Sequence, residues 1–154
     1  MRSVLMVTDG TATEHPHRCQ GLTIHVVATT TEGTRAALTE ASRLARGLDI
    51  RVVLLVPHAV PFGEPLDGPS RRPAHSADRF RAVANECGDD VVVRVVVCRP
   101  DTSDLVRLLP HDATLLVGGV AGRFWPTREE RMTRAFAAKG HRVLFVEPNP
   151  RTRP

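Results

Sequence analysis

The sequence predicts a doubly wound α/β domain, an open five-stranded parallel sheet of Rossmann-like type with helices on both faces. Three observations carry this reading. Five short runs dense in valine and leucine alternate with four stretches of helical period. The first two runs are joined by a single helix, a succession that implies a right-handed crossover and parallel pairing. The fourth run ends in the glycines of Gly118-Gly119-Val120-Ala121-Gly122-Arg123, which open a turn toward a helix. In open α/β sheets such turns are where small ligands sit.

The elements follow in order. Residues 1–21 are read as a flexible N-terminal extension, with Val4 to Val7 able to form a short strand before a polar, aperiodic arm. His15, His17 and Cys19 lie close together there, but a rigid frame and a fourth ligand are lacking, so a tail that merely contains them is the favoured reading over a metal site. Residues 22–148 form the domain. Ile24 to Ala28 is strand one. Gly33 to Arg46 is a helix, with Ala37, Leu38, Ala41, Leu44, Ala45 and Leu48 recurring at spacings of three and four and Gly47 at its end. Arg51 to Val56 is strand two. Pro57 to Pro73, rich in proline, reads as a long unpacked excursion. Ala74 to Cys87 is a helix and Asp90 to Cys98 strand three, with Arg94 expected toward an edge or the surface. Asp101 or Thr102 caps a short helix through Leu105 and Leu108 that Pro110 stops. Ala113 to Val117 is strand four. Thr127-Arg128-Glu129-Glu130 fits a capping box opening a helix to about Lys139, and Arg142 to Val146 is strand five. Residues 149–154 are a C-terminal tail.

Composition narrows the function classes. The chain has 154 residues, 42% apolar and 25% charged, with a net charge of +4, and its pI is about 9.7. The excess is almost wholly arginine, interleaved with acids and not gathered into one run, so a nucleic-acid partner is not indicated, and no membrane partner is expected. No apolar stretch reaches the length of a bilayer span. Cys19, Cys87 and Cys98 are too few and too scattered for a disulfide framework, which points to a cytoplasmic, reducing setting. No catalytic constellation stands out. His25 reads as a packed or edge residue, His75, His111 and His141 as exposed, and Cys87 and Cys98 as packing residues. An enzyme is the least supported class.

Taken together, Ile24-His25-Val26-Val27-Ala28, Val52-Val53-Leu54-Leu55-Val56, Arg99-Pro100-Asp101, Leu115-Leu116-Val117-Gly118-Gly119 and Val143-Leu144-Phe145-Val146-Glu147-Pro148 occur in an order and spacing that resemble the universal stress protein family. The resemblance implies a sheet ordered 3-2-1-4-5, ATP at the carboxyl ends of strands one and four in many members, and homodimers pairing their last strands, here residues 142–146. It implies stress-responsive proteins without a settled reaction. The family's nucleotide motif is an acidic residue after strand one, then glycine, two residues, glycine, nine residues, and glycine with serine or threonine. Gly119 and Gly122 keep the first spacing. Thr29 stands at the acidic position. The final pair falls on Met132-Thr133, or on Glu129-Glu130 if the helix is aligned backward from strand five.

Two readings follow. One is a non-catalytic stress-response or regulatory homodimer in which ATP binding is weakened or lost. The alternative is a protein that binds ATP or another adenine nucleotide through Thr29, Thr30, Val56, Gly118, Gly119, Gly122, Arg123 and Thr133, with Val56 included because the family packs adenine at the end of strand two. Glutamates in the first turn of the last helix oppose a bound triphosphate, whereas Arg123, Arg128, Arg131 and Arg134 favour one.

Overall fold

A computed structural model of the chain describes residues 6–7, 21–66, 74–88, 90–101 and 103–149. The elements run β1 (Met6–Val7), β2 (Thr23–Val27), α1 (Thr31–Ala45), β3 (Arg51–Ala59), α2 (Ala74–Cys87), β4 (Val91–Cys98), α3 (Ser103–Leu108), β5 (Thr114–Gly118), α4 (Arg128–Ala138) and β6 (Arg142–Val146). The sheet is ordered β1-β4-β3-β2-β5-β6. Its five parallel strands therefore take the expected order 3-2-1-4-5, and β1 is an added edge. Met6 and Val7 pair antiparallel with Val96 and Val95, so part of the expected N-terminal extension joins the sheet. His15, His17 and Cys19 lie outside the described residues.

Both faces of the sheet are covered, which is why its strands are apolar at nearly every position. On one face Val26, Leu54, Val95 and Leu116 pack beneath Leu38 and Ala41 of α1 and Phe80 and Val83 of α2. On the other, Val27, Leu55, Val96 and Val117 pack beneath Leu105 of α3 and Met132 and Phe136 of α4. The alternation of successive strand residues between the two clusters is the two-residue period of the pleat.

Two expectations are corrected. Strand two does not stop at Val56. It continues to Ala59, paired with β4 through Cys98, although Pro57 has no N–H to give. Leu55 accepts from Ala28 N–H on the β2 side, and the two-residue period turns Pro57 toward that same side. There β2 has already ended, its last pairing being Val27 with Leu55. The missing donor falls where no partner strand exists. The segment after the strand is also anchored. Val60 is buried, and Arg99 Nη1 donates to the carbonyls of Pro61 (2.7 Å) and Glu64 (2.9 Å).

His141 is the other correction, since it is buried and not exposed. It stacks edge-on against Phe136, where the turn after α4 folds back onto the core. His25, on the central strand β2, is buried on the face that carries Val53 and Leu115. Arg94, expected toward an edge or the surface, is half-buried, and Nδ1 of both histidines and Nε of Arg94 have no hydrogen-bond partner.

Burial holds the His25 imidazole below its ordinary value of 6.5; the positive charges of Arg94 and His141 act in the same direction, against a hydrogen bond to the Thr114 backbone. The unfolded chain therefore takes up this proton before the folded one does. Stability is complete above about pH 6.5 and falls as the pH drops toward the lower folded value. Urea midpoints should decrease between about pH 7.5 and about pH 5.5, and the slope should flatten in His25→Gln. Equal slopes in the two proteins would contradict the assignment.

Candidate functional site

Five of the helices and strands converge at the carboxyl ends of the parallel strands, where backbone runs out of ladder partners. A cleft of about 250 Å³ opens there, floored by Ala28, Pro57, Ala59 and Cys98 and walled by Phe80 of α2, Leu105 of α3 and Met132 of α4. Arg79, Arg99, Arg128, Asp101 and Glu129 stand around it. Several of these groups are already committed. Arg99 straps the segment after β3, as described above. Asp101 accepts from the Ser103 amide (3.2 Å) and hydroxyl (2.5 Å), fixing the start of α3. Asp104, buried, accepts from Arg99 N–H at 3.0 Å. Burial, reinforced by the negative charges of Asp104 and Asp101, pushes the Cys98 thiol up to about 11. It stays protonated at neutral pH and packs as an apolar group.

Of the residues nominated from the sequence, the cleft contains Thr29 and Thr30. Both are occupied with the start of α1. The Thr29 amide donates to Thr34 Oγ1 at 3.0 Å and its hydroxyl donates to the Gly118 carbonyl at 2.6 Å. Thr30 is the N-cap of α1, its hydroxyl accepting from Gly33 N–H at 3.0 Å. Val56 lies inside β3, buried beneath α1 and α2, because the strand continues three residues beyond it. Thr133 is one turn into α4, and its hydroxyl donates back to the Glu129 carbonyl at 2.9 Å. Neither lines the cleft.

The glycine turn is a second, separate feature. Gly118 lies against the first turn of α1: a Cβ there would stand 1.7 Å from the Gly33 carbonyl oxygen, and one on Gly33 would stand 2.5 Å from that of Gly118. Only paired glycines permit this approach. Gly119 donates to the Val146 carbonyl at 3.0 Å, laying the turn along the end of β6. The amides of Ala121 and Gly122 point toward carboxylates. Ala121 N–H donates to Glu147 Oε1 at 3.0 Å, and Gly122 N–H donates to Glu130 Oε2 at 3.1 Å. The same Glu130 oxygen accepts from Thr127 N–H at 2.7 Å, while Thr127 Oγ1 accepts from Glu130 N–H at 3.3 Å. This is the expected capping box, extended by one bond into the glycine turn. A Cβ on Gly122 would meet the Trp125 carbonyl oxygen at 1.8 Å, so the turn closes on its own backbone. Hydrogen bonds from the Thr127 and Gly122 amides hold the Glu130 carboxyl below the ordinary carboxylate value of 4.5. Arg123 projects from the turn and lies over the Phe124 ring.

Chemically, then, the turn presents an anion site whose donors are already bonded to the chain's own anions. The cleft presents apolar walls with Arg79 and Arg128 at its rim. Sequence reading missed the second half of the cleft, namely the α2 and α3 residues, because long-range packing brings them there. It also missed Glu147 as a ligand of the turn, for which the sequence holds no local signal.

No protein-family model matches the chain, and no curated protein sequence does. Solved structures do. A universal stress protein crystallised in complex with cAMP is similar over 84% of this chain and 98% of its own, with 18% identity and a TM-score of 0.55. The fold is that of the universal stress proteins. The universal-stress-protein sheet accounts for the order of the five parallel strands, and β1 is paired outside them. Also similar are the Mycobacterium tuberculosis H37Rv protein Rv1636, at 22% identity over 84% of this chain and 98% of its own with a TM-score of 0.47, and an Arabidopsis thaliana universal stress protein family protein with AMP bound, at 20% identity over 86% and 96% with a TM-score of 0.48.

The contact between Gly118 and Gly33 yields a sharp expectation. Gly118→Ala should destabilise the protein by about 3 kcal/mol, the upper part of the range for overpacking, because the obstacle is backbone on both sides. Urea denaturation measures it. A loss under about 1 kcal/mol would mean the two turns are not held in contact.

Proposed function

We propose that the protein is a non-catalytic, universal stress protein-like regulatory module that acts as a homodimer and has lost triphosphate binding at its glycine turn. The observation that carries this reading is the Glu130 carboxylate seated on the amides of Gly122 and Thr127. A phosphate at the same place would have to displace an anion already bonded there, and Glu147 on Ala121 N–H adds a second. The Thr29 hydroxyl, standing where the resemblance expects a carboxylate, is bonded to Gly118. The cleft volume of about 250 Å³ is just below the roughly 300–1,000 Å³ typical of small-ligand pockets, which argues against a whole nucleoside triphosphate.

The cleft itself supports a second reading, an adenine nucleotide with a single phosphate. Its apolar walls suit a base, Arg79 and Arg128 suit one phosphate, and the structural relative with cAMP supplies the precedent. Thermal unfolding with ligand separates the two. A ligand at a hundred times its dissociation constant stabilises by about 2.7 kcal/mol. Millimolar ATP should leave the midpoint unchanged. A midpoint raised by AMP or cyclic AMP alone would select the second reading, and one raised by ATP would overturn loss of triphosphate binding.

For the dimer, β6 is the edge of the sheet, paired with β5 on one side and with no strand on its other side among the described residues. Leu144 on it is exposed, although the strand is apolar. An unprotected apolar edge is otherwise an aggregation hazard, and pairing with a second β6 removes it. Leu144→Glu should convert a sedimenting dimer to monomer with the fold retained by circular dichroism. A dimer unchanged by this charge would exclude β6 as the interface.

A further inference from the structure

The loop between the glycine turn and α4 carries the most exposed large apolar side chains of the described residues. Phe124 is 82% and Trp125 84% exposed, with Val120 at 66% on the same loop. The backbone beneath them is fixed. The Gly122 and Ala121 amides are tied to Glu130 and Glu147, the Thr127 cap fixes the far end, and the Trp125 carbonyl is packed against Gly122. The aromatic pair is thus a convex tip on a pinned turn. Its surroundings are cationic: Arg123, Arg128, Arg131 and Arg134 are exposed and make no salt bridge among the described residues. Glu130 and Glu147 bond backbone amides as carboxylates, and with Glu129 they offset part of this charge, leaving four arginines against three glutamates.

We propose that this tip docks the protein on the surface of an anionic bilayer, with Phe124 and Trp125 entering the headgroup–acyl boundary and the arginines contacting lipid phosphates. Three features choose a bilayer. Side chains more than four-fifths exposed have no concave surround, so a protein partner would need a preformed apolar pocket with an acidic rim, whereas a bilayer offers an apolar layer beneath an anionic one everywhere. Tryptophan is the side chain most at home at that boundary. Cations near an anionic leaflet contribute about 1 kcal/mol each. This is a peripheral contact, distinct from spanning; no described helix is long and apolar enough to cross a membrane. It is separate from the β6 edge and shares only Arg128 with the cleft.

Trp125 is the only tryptophan, and there is no tyrosine, so its emission reports the tip directly. The full-length protein is mixed with vesicles of equal phosphatidylglycerol and phosphatidylcholine, and separately with pure phosphatidylcholine, at low salt. Emission should shift to the blue and the protein should co-sediment with the anionic vesicles only. Raising salt to about 0.5 M should release it by shortening the screening length. Arg123→Gln with Arg131→Gln should lower the partition coefficient roughly thirty-fold, two lost arginines at about 1 kcal/mol each. Phe124→Ser, at an exposed position that leaves the fold intact, should weaken binding while keeping the reporter. Absence of a shift with anionic vesicles overturns the proposal. So does binding undiminished in both variants, which would place the contact on another basic surface. A blue shift that grows with protein concentration without vesicles also overturns it, by assigning the tip to a protein contact.

Discussion

The carboxylate of Glu130 holds the upper end of this molecule together. One oxygen accepts from the cap of α4 and from the glycine turn, so helix start and strand end are fixed relative to each other by a single anion. Two amide donors on one carboxylate are charge-assisted bonds, about twice as strong as neutral ones. Placing that charge in the first turn also satisfies the positive end of α4. The donors that build the turn are bonded within the chain, and the proposed loss of triphosphate binding rests on this.

The rest of the site repeats this pattern. Thr29 and Thr30 stand at the mouth of the cleft, yet their hydroxyls complete the start of α1 and its contact with Gly118. Asp101 is bonded to the start of α3, and Arg99 holds the segment after β3. Polar groups at the carboxyl ends of the strands thus serve mainly as joints between elements. What is left for a partner is the arginines at the rim, the β6 edge and the aromatic tip, all on the outside of the domain.

Much of this was legible in the residues. The alternation of apolar runs and helical periods gave the five parallel strands and their helices, and Thr127-Arg128-Glu129-Glu130 announced the cap that is observed. The errors arose where tertiary context decides. Pro57 reads as a strand terminator until β2 is seen to end beside it. His141 looks like a boundary residue until Phe136 is seen to cover it. Val56 is nominated by the resemblance, as the end of strand two, and Thr133 by counting on from Gly122; neither route registers a strand that continues or a helix whose hydroxyl turns back on itself. Glu147, far from Ala121 in sequence, becomes its partner only because β6 lies beside β5.

Occupation of the turn by Glu130 in solution is tested most directly by a pH titration of the backbone amide resonances by NMR. The Gly122 and Thr127 amide signals should move together with one apparent pKa below 4.5, and neither should move when ATP is added at neutral pH. A Gly122 amide that ignores the titration and shifts with ATP would show an open phosphate cradle and contradict the account.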